Sequence, residues 1–117
     1  MKKAYYLQNC TTCKRILSDL KWNDETQEIR SEKITSDQLK QMNKLAGSYE
    51  ALFSKRAIKY KSMGLKEKVL QEDDYKRLIL EEDTFLKRPV FIIEDEIFIG
   101  NSKSVIDSLK QKLKLNA

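Results

Sequence analysis

The chain has 117 residues, 40% of them hydrophobic and 35% charged, with 23 basic and 18 acidic side chains giving a formal net charge of +5. That length fits one domain around one core, and the mix excludes a disordered chain; no apolar run approaches the ~20 residues of a membrane span. Two cysteines and no histidine exclude a Ser-His-Asp triad, a Cys-His pair and an imidazole metal centre, and two thiols are too few for a four-ligand structural zinc site. No metal or bound cofactor is expected. Met1-Lys2-Lys3 is followed by only a short apolar run before Gln8 and Asn9. That pattern does not read as a signal peptide, so a cytoplasmic location with reduced thiols is expected.

Residues 3–8 read as a short strand, with Ala4, Tyr5, Tyr6 and Leu7 apolar or aromatic. A polar turn, Asn9-Cys10-Thr11-Thr12-Cys13, leads into a helix from about 12 to 20 with Ile16, Leu17 and Leu20 on one face. Trp22-Asn23-Asp24 breaks it, and residues 26–31 suit a second strand. Thr35 and Gln38 have capping-box spacing, Leu39, Met42 and Leu45 mark a helical face, and Gly47 ends it. Leu52, Phe53, Ala57 and Tyr60 recur at helical spacing, which predicts one helix over 48–63 stopped at Gly64. Two short helices are expected over 66–71 and 74–82, the second capped by Asp74.

Val90-Phe91-Ile92-Ile93 and Ile97-Phe98-Ile99-Gly100, separated by Glu94-Asp95-Glu96, read as an antiparallel hairpin. Asn101 or Ser102 caps a last helix with Val105, Ile106, Leu109 and Leu113 in one stripe. A strand–helix–strand opening favours a parallel first pair with a right-handed crossover. The expected fold is α/β, a mixed four-stranded sheet covered by helices, over a single domain 1–117 with a helical insert at 34–86. Basic and acidic side chains interleave, as in Lys66-Glu67-Lys68. That reads as solvated helix faces, with no direct nucleic-acid contact and no membrane contact.

Cys10-Thr11-Thr12-Cys13 carries the chemistry. Two residues between cysteines at a helix start let the sulfurs form a short-loop disulfide. The first cysteine sits where unpaired N–H groups and the helix dipole favour an anion. The thiolate is the nucleophile, so Cys10 is expected to be the more acidic and more exposed thiol and Cys13 the resolving one. The alternative is a pair of ordinary buried cysteines; the preceding strand argues against it. Lys87-Arg88-Pro89-Val90 holds the only proline, directly before an apolar strand. Arginine suits bidentate capture of an oxyanion. By itself, though, the tetrapeptide reads as a surface arginine before an edge-strand proline.

Taken in order, Cys10-Thr11-Thr12-Cys13-Lys14-Arg15, Phe53-Ser54-Lys55-Arg56 through Tyr60 and Gly64, Leu86-Lys87-Arg88-Pro89-Val90 and Ile99-Gly100-Asn101-Ser102 resemble the arsenate reductase/Spx family across essentially the whole chain. The resemblance implies a thioredoxin-like fold. It implies that Cys10 is the catalytic cysteine, that Cys10 and Cys13 form a redox disulfide, and that Arg88 contacts the oxyanion. It places Pro89 at a position where the peptide bond is typically cis, and puts Thr11, Thr12, Arg88 and Pro89 at the substrate. A glutathione, glutaredoxin or thioredoxin-type reductant is implied. The family's further arsenate-binding arginines fall at Ser54 and near Gly100-Asn101, where this chain has none. Two functions follow from the resemblance. One is an arsenate reductase-like thiol–disulfide oxidoreductase resolved by Cys13 or glutathione. The other is an Spx-type redox-switched transcriptional regulator that binds the C-terminal domain of RNA polymerase alpha. The first ranks ahead. A scaffold with inert thiols is the third reading.

Overall fold

The computed structural model describes residues 1–114. In chain order the elements are β1 (Lys2–Tyr6), α1 (Thr11–Asp19), β2 (Glu25–Glu28), α2 (Ser36–Ala46), α3 (Ile58–Ser62), α4 (Glu72–Glu81), β3 (Val90–Ile93), β4 (Glu96–Ile99) and α5 (Lys103–Lys112). They fall into two compact units: residues 1–32 together with the chain from Arg88 onward, and Lys33–Lys87.

The first unit holds the sheet, in the order β2-β1-β3-β4. β1 pairs parallel with β2 and antiparallel with β3, and β3 pairs antiparallel with β4, the mixed four-stranded arrangement that the element order implies. β3 is buried along its whole length, which is why Val90–Ile93 is an unbroken apolar run rather than an alternating one. The hairpin turn is tighter than expected. Glu96 already pairs with Ile93, leaving Glu94 and Asp95 as the turn, with Glu94 at φ 56°. On one side of the sheet Ala4, Phe91 and Ile93 pack with Ile16 and Leu20 of the α1 region and Leu109 of α5. Each of the larger side chains, the leucines, isoleucines and Phe91, contributes about 1.5–3 kcal/mol on burial. Trp22 closes one edge, its ring 5.0 Å from Phe91 in an edge-on contact. Ser102 caps α5 by accepting the Val105 N–H.

The second unit departs further from the sequence pattern. α2 has the expected capping box, Gln38 N–H to Thr35 Oγ1 and Thr35 N–H to Gln38 Oε1, each at 3.0 Å, and ends at Gly47 with φ 95°. The single helix expected over 48–63 does not form. A 3-10 turn at Glu50–Leu52 stops at Phe53, which is extended and bridges to Leu86. Ser54 N–H reaches the Phe85 carbonyl at 2.7 Å, and Lys87 N–H reaches the Leu52 carbonyl at 2.8 Å. Phe53 stacks on Phe85 with centroids 4.9 Å apart and meets Tyr75 at 4.9 Å and Tyr60 at 5.9 Å. Leu52 and Phe53 are both buried. The bend keeps both side chains buried while freeing the Phe53 backbone to bridge Leu86, which a continuous helix would not allow. Residues 66–71 form only a 3-10 turn, Leu65–Glu67. α4 starts two residues before the expected Asp74 cap. Asp74 instead reaches back from the first turn and accepts the Gln71 N–H at 2.8 Å.

Candidate active site

The loop after β1 delivers Cys10 to the start of α1. Cys10 N–H donates to the Leu7 carbonyl at 3.0 Å, and Cys10 takes the extended N-cap conformation, φ −92° and ψ 99°. Its Sγ accepts the Cys13 N–H at 3.3 Å, in the place where a Ser or Asp oxygen ordinarily satisfies one of the free N–H groups of a helix start. The sulfur therefore meets the positive end of the α1 dipole, and the first turn carries no acidic residue to cancel it. Thr11 is exposed and Thr12 half-buried; Cys10 is half-buried and Cys13 fully buried. Both thiols are free.

The two thiols are electrostatically opposite. Burial pushes the Cys10 thiol up, but hydrogen bonds from Cys13, side chain and backbone, and the charge and hydrogen bond of the Arg88 guanidinium outweigh it. The net shift is downward. Cys13 is pushed up to about 12, first by burial, then by its hydrogen bond to Cys10 and the charge there, with a Leu7 backbone hydrogen bond and Arg88 opposing. A pair separated in this way has one thiol ready to ionise and one that stays protonated.

Arg88 arrives from 78 positions along the chain. The antiparallel register pairs Val90 with Tyr5, so the residues just before β3 run past the end of β1, where the Cys10 loop begins. The Arg88–Pro89 peptide bond is cis. Pro89 is buried, and its carbonyl accepts the Gly100 N–H at 2.9 Å. Of the residues singled out in the sequence, Cys10, Cys13 and Arg88 thus come together, and Thr11, Thr12 and Pro89 flank them. Ser54 belongs to the other compact unit.

One residue that sequence reasoning missed is Glu28, at the end of β2. Its Oε2 accepts the Gln8 N–H at 2.8 Å, while Oε1 accepts both the N–H and the Oγ–H of Ser31 at 2.8 Å. It clasps the loop two residues before Cys10 to the turn after β2. Burial pushes the Glu28 pKa up, but the hydrogen bonds from Gln8, Ser31 and Arg30 together outweigh it and hold it at about 2. No local motif marks Glu28; only the parallel register Tyr6↔Glu28 brings it to the loop.

A recess of about 400 Å³ in the Lys33–Lys87 unit is lined by Lys33, Asp73, Lys76, Arg77, Leu80 and Glu81. Its lining contains no thiol. No group of metal-ligating side chains occurs among the described residues, and none of their helices is long and apolar enough to cross a membrane.

The ArsC family model matches residues 5–109 of the chain. Among solved structures, the protein YFFB superposes with a TM-score of 0.80 at 17% identity, over 97% of this chain and 99% of its own. The arsenate reductase from Vibrio cholerae superposes with a TM-score of 0.75 at 16% identity, over 97% and 95%. SACOL0876 from Staphylococcus aureus is 27% identical, with a TM-score of 0.72 over 92% and 97%. No curated protein matches the sequence. The shared architecture is the thioredoxin-like one, a mixed four-stranded sheet with helices.

Proposed function

The chain belongs to the ArsC family, and from that membership we propose that it is an arsenate reductase-like thiol–disulfide oxidoreductase with Cys10 as nucleophile and Cys13 or glutathione as resolving thiol. One observation carries the reading: Cys10 Sγ caps α1 beside Arg88 with its pKa lowered, while Cys13, three residues on, is buried and held protonated. The Cys10 thiolate attacks one sulfur of a disulfide substrate. A Cys10–substrate disulfide forms and the other sulfur leaves as a thiolate, which takes up a proton. Once Cys10 is in that bond it no longer carries charge. The hydrogen bond and charge that helped to raise Cys13 are then gone, and burial is the main influence still holding it up. Cys13 then loses its proton and attacks Cys10 Sγ, closing the intramolecular disulfide and releasing the second substrate thiol. Two electrons pass from the protein to the substrate, and glutathione or a glutaredoxin- or thioredoxin-type protein restores the dithiol. With arsenate, the same two thiols supply the two electrons that take As(V) to As(III), with water as the other product. Arg88 and the start of α1 stabilise the anion that attacks or leaves. The cytoplasm, where disulfides are reduced as they form, is the compartment that suits such a cycle.

The test is turnover of arsenate and of a small disulfide with glutathione, glutaredoxin and NADPH-coupled glutathione reductase. Activity lost in Cys10→Ser supports the reading. Unchanged activity in that variant, or none in the wild type with either substrate, would falsify it. An Spx-type switch uses the same thiol pair without turnover, and oxidation-dependent capture of the C-terminal domain of RNA polymerase alpha would favour it.

A further inference from the structure

One short segment of the chain is unusually rich in positive charge. Residues 55–69, Lys55 to Val69, contain six of the 23 basic side chains and a single acid, Glu67; the rest of the chain holds seventeen of each sign. The segment, part of the Lys33–Lys87 unit, thus has a net charge of +5 of its own. Lys55 pairs with Glu50, and Lys59 pairs with Glu82. Arg56, Lys61, Lys66 and Lys68 are exposed and make no ion pair among the described residues.

The same segment breaks a second rule. Among the described residues, four large hydrophobic side chains are exposed, and three of them are here: Ile58 at 85%, Val69 at 87% and Met63 at 46%. A single exposed aliphatic is ordinary. Three within twelve residues, framed by unpaired cations, make a mixed patch of the kind that marks an interaction surface. α3 and the 3-10 turn at Leu65–Glu67 lie against each other, so the segment is folded back on itself rather than strung out. Its inward side is accounted for: Leu65 is buried and Tyr60 meets Phe53.

We propose that residues 55–69 dock an acidic segment of a partner protein that also carries aliphatic side chains. Charge complementarity fixes the sign of the partner: the four exposed, unpaired cations Arg56, Lys61, Lys66 and Lys68 attract a surface rich in Asp and Glu and raise its association rate. Ile58, Met63 and Val69 fix the rest, because an interface gains its lasting stability from a desolvated apolar centre inside a charged rim. Nucleic acid fits less well. Tyr60, the segment's only aromatic residue, is half-buried, so there is no exposed platform on which bases stack. A membrane surface also fits less well. α3 has five residues, about 7.5 Å of helix, and lacks the long apolar face with aromatic anchors of an interfacial helix.

The experiment is fluorescence anisotropy of the full chain with a labelled peptide of alternating Glu and Leu. An all-Glu peptide, a single-stranded oligonucleotide and phosphatidylserine-containing vesicles serve as parallel probes. The Glu-Leu peptide should saturate and weaken as salt is raised. It should lose about tenfold in affinity in the Lys66→Glu/Lys68→Glu double variant, from two unfavourable charges. A similar loss of about tenfold is expected in Ile58→Ser/Val69→Ser, from the missing apolar anchors. All four side chains are exposed, so thermal unfolding of both variants should match the wild type. The proposal is overturned by absence of saturable peptide binding. It is equally overturned if the all-Glu peptide, the oligonucleotide or the vesicles bind as tightly and Ile58→Ser/Val69→Ser makes no difference. Concentration-dependent dimerisation that the peptide displaces would name a second copy of the chain as the occupant instead, and would also overturn it.

Discussion

Replacing Arg88 by glutamine removes one charge from the cysteine site while keeping a shorter side chain that can still donate a hydrogen bond. Two unit charges about 4 Å apart interact by about 4 kcal/mol at the effective dielectric near a protein surface. Cys10 is half-buried, so water and salt screen the pair, and about 1–2 kcal/mol survives. At 1.36 kcal/mol per pKa unit, the Cys10 thiol should rise by about one unit in Arg88→Gln. The assay is the pH dependence of iodoacetamide alkylation, read by peptide mass spectrometry. Below pH ~10 the reaction reports Cys10 alone, because Cys13 is fully buried and pushed up to about 12. At neutral pH the alkylation rate should fall by up to about tenfold. If the apparent pKa is low in the wild type and identical in Arg88→Gln, the arginine is not what holds the thiolate. The hydrogen bonds from Cys13, side chain and backbone, would then be the dominant cause. If the wild-type pKa is at or above the ~8.5 of a free cysteine, the assignment of Cys10 as an activated nucleophile is wrong.

Cys13→Ser should leave Cys10 alkylation intact while abolishing the intramolecular disulfide, so mild oxidation would yield a glutathione adduct on Cys10; an unaltered disulfide-dependent mobility shift would contradict this. Glu28 predicts a pH signature. Its carboxyl falls from an ordinary 4.5 to about 2 in the fold, so the stabilisation it supplies is present above pH 4.5 and is lost as pH falls towards 2. Denaturation midpoints measured across that window should drop in the wild type and stay flatter in Glu28→Gln. The difference should be about 1 kcal/mol or less, since the clasp is exposed to solvent. Phe53→Ala should cost about 3–5 kcal/mol by urea unfolding, the usual range for an aromatic lost from a packed core. A cost below 1 kcal/mol would mean that the Phe53–Phe85 stack contributes little.

Legibility in the sequence followed the range of the interactions. The Thr35/Gln38 cap, the stripe of α5 and the strand-to-helix position of Cys10 each depend on neighbours a few residues away, and each appears as read; so does the closing hairpin, apart from a turn one residue shorter than expected. The helix expected over 48–63 failed for a long-range reason: Phe53 is drawn into an extended bridge with Leu86 and a stack with Phe85, and these compete successfully with local helical spacing. The interleaved Lys66-Glu67-Lys68 is exposed to solvent, as read. Only the burial of individual side chains shows Ile58 and Val69 standing among the cations of residues 55–69.

By itself the sequence singled out the candidate reactive group. With no histidine and two cysteines in a Cys-x-x-Cys spacing before a helix, it pointed to a thiol, and the helix-start position pointed to Cys10. Only the tertiary structure decided what surrounds that thiol. Arg88 reaches Cys10 because β3 pairs antiparallel with β1, and Glu28 reaches the same loop because β2 pairs parallel with it. Strand register is a collective outcome of burying a whole apolar face, and a one-residue slip would turn every side chain to the other side of the sheet. A local pattern can name a nucleophile, but the charges that tune it come from wherever the sheet brings them.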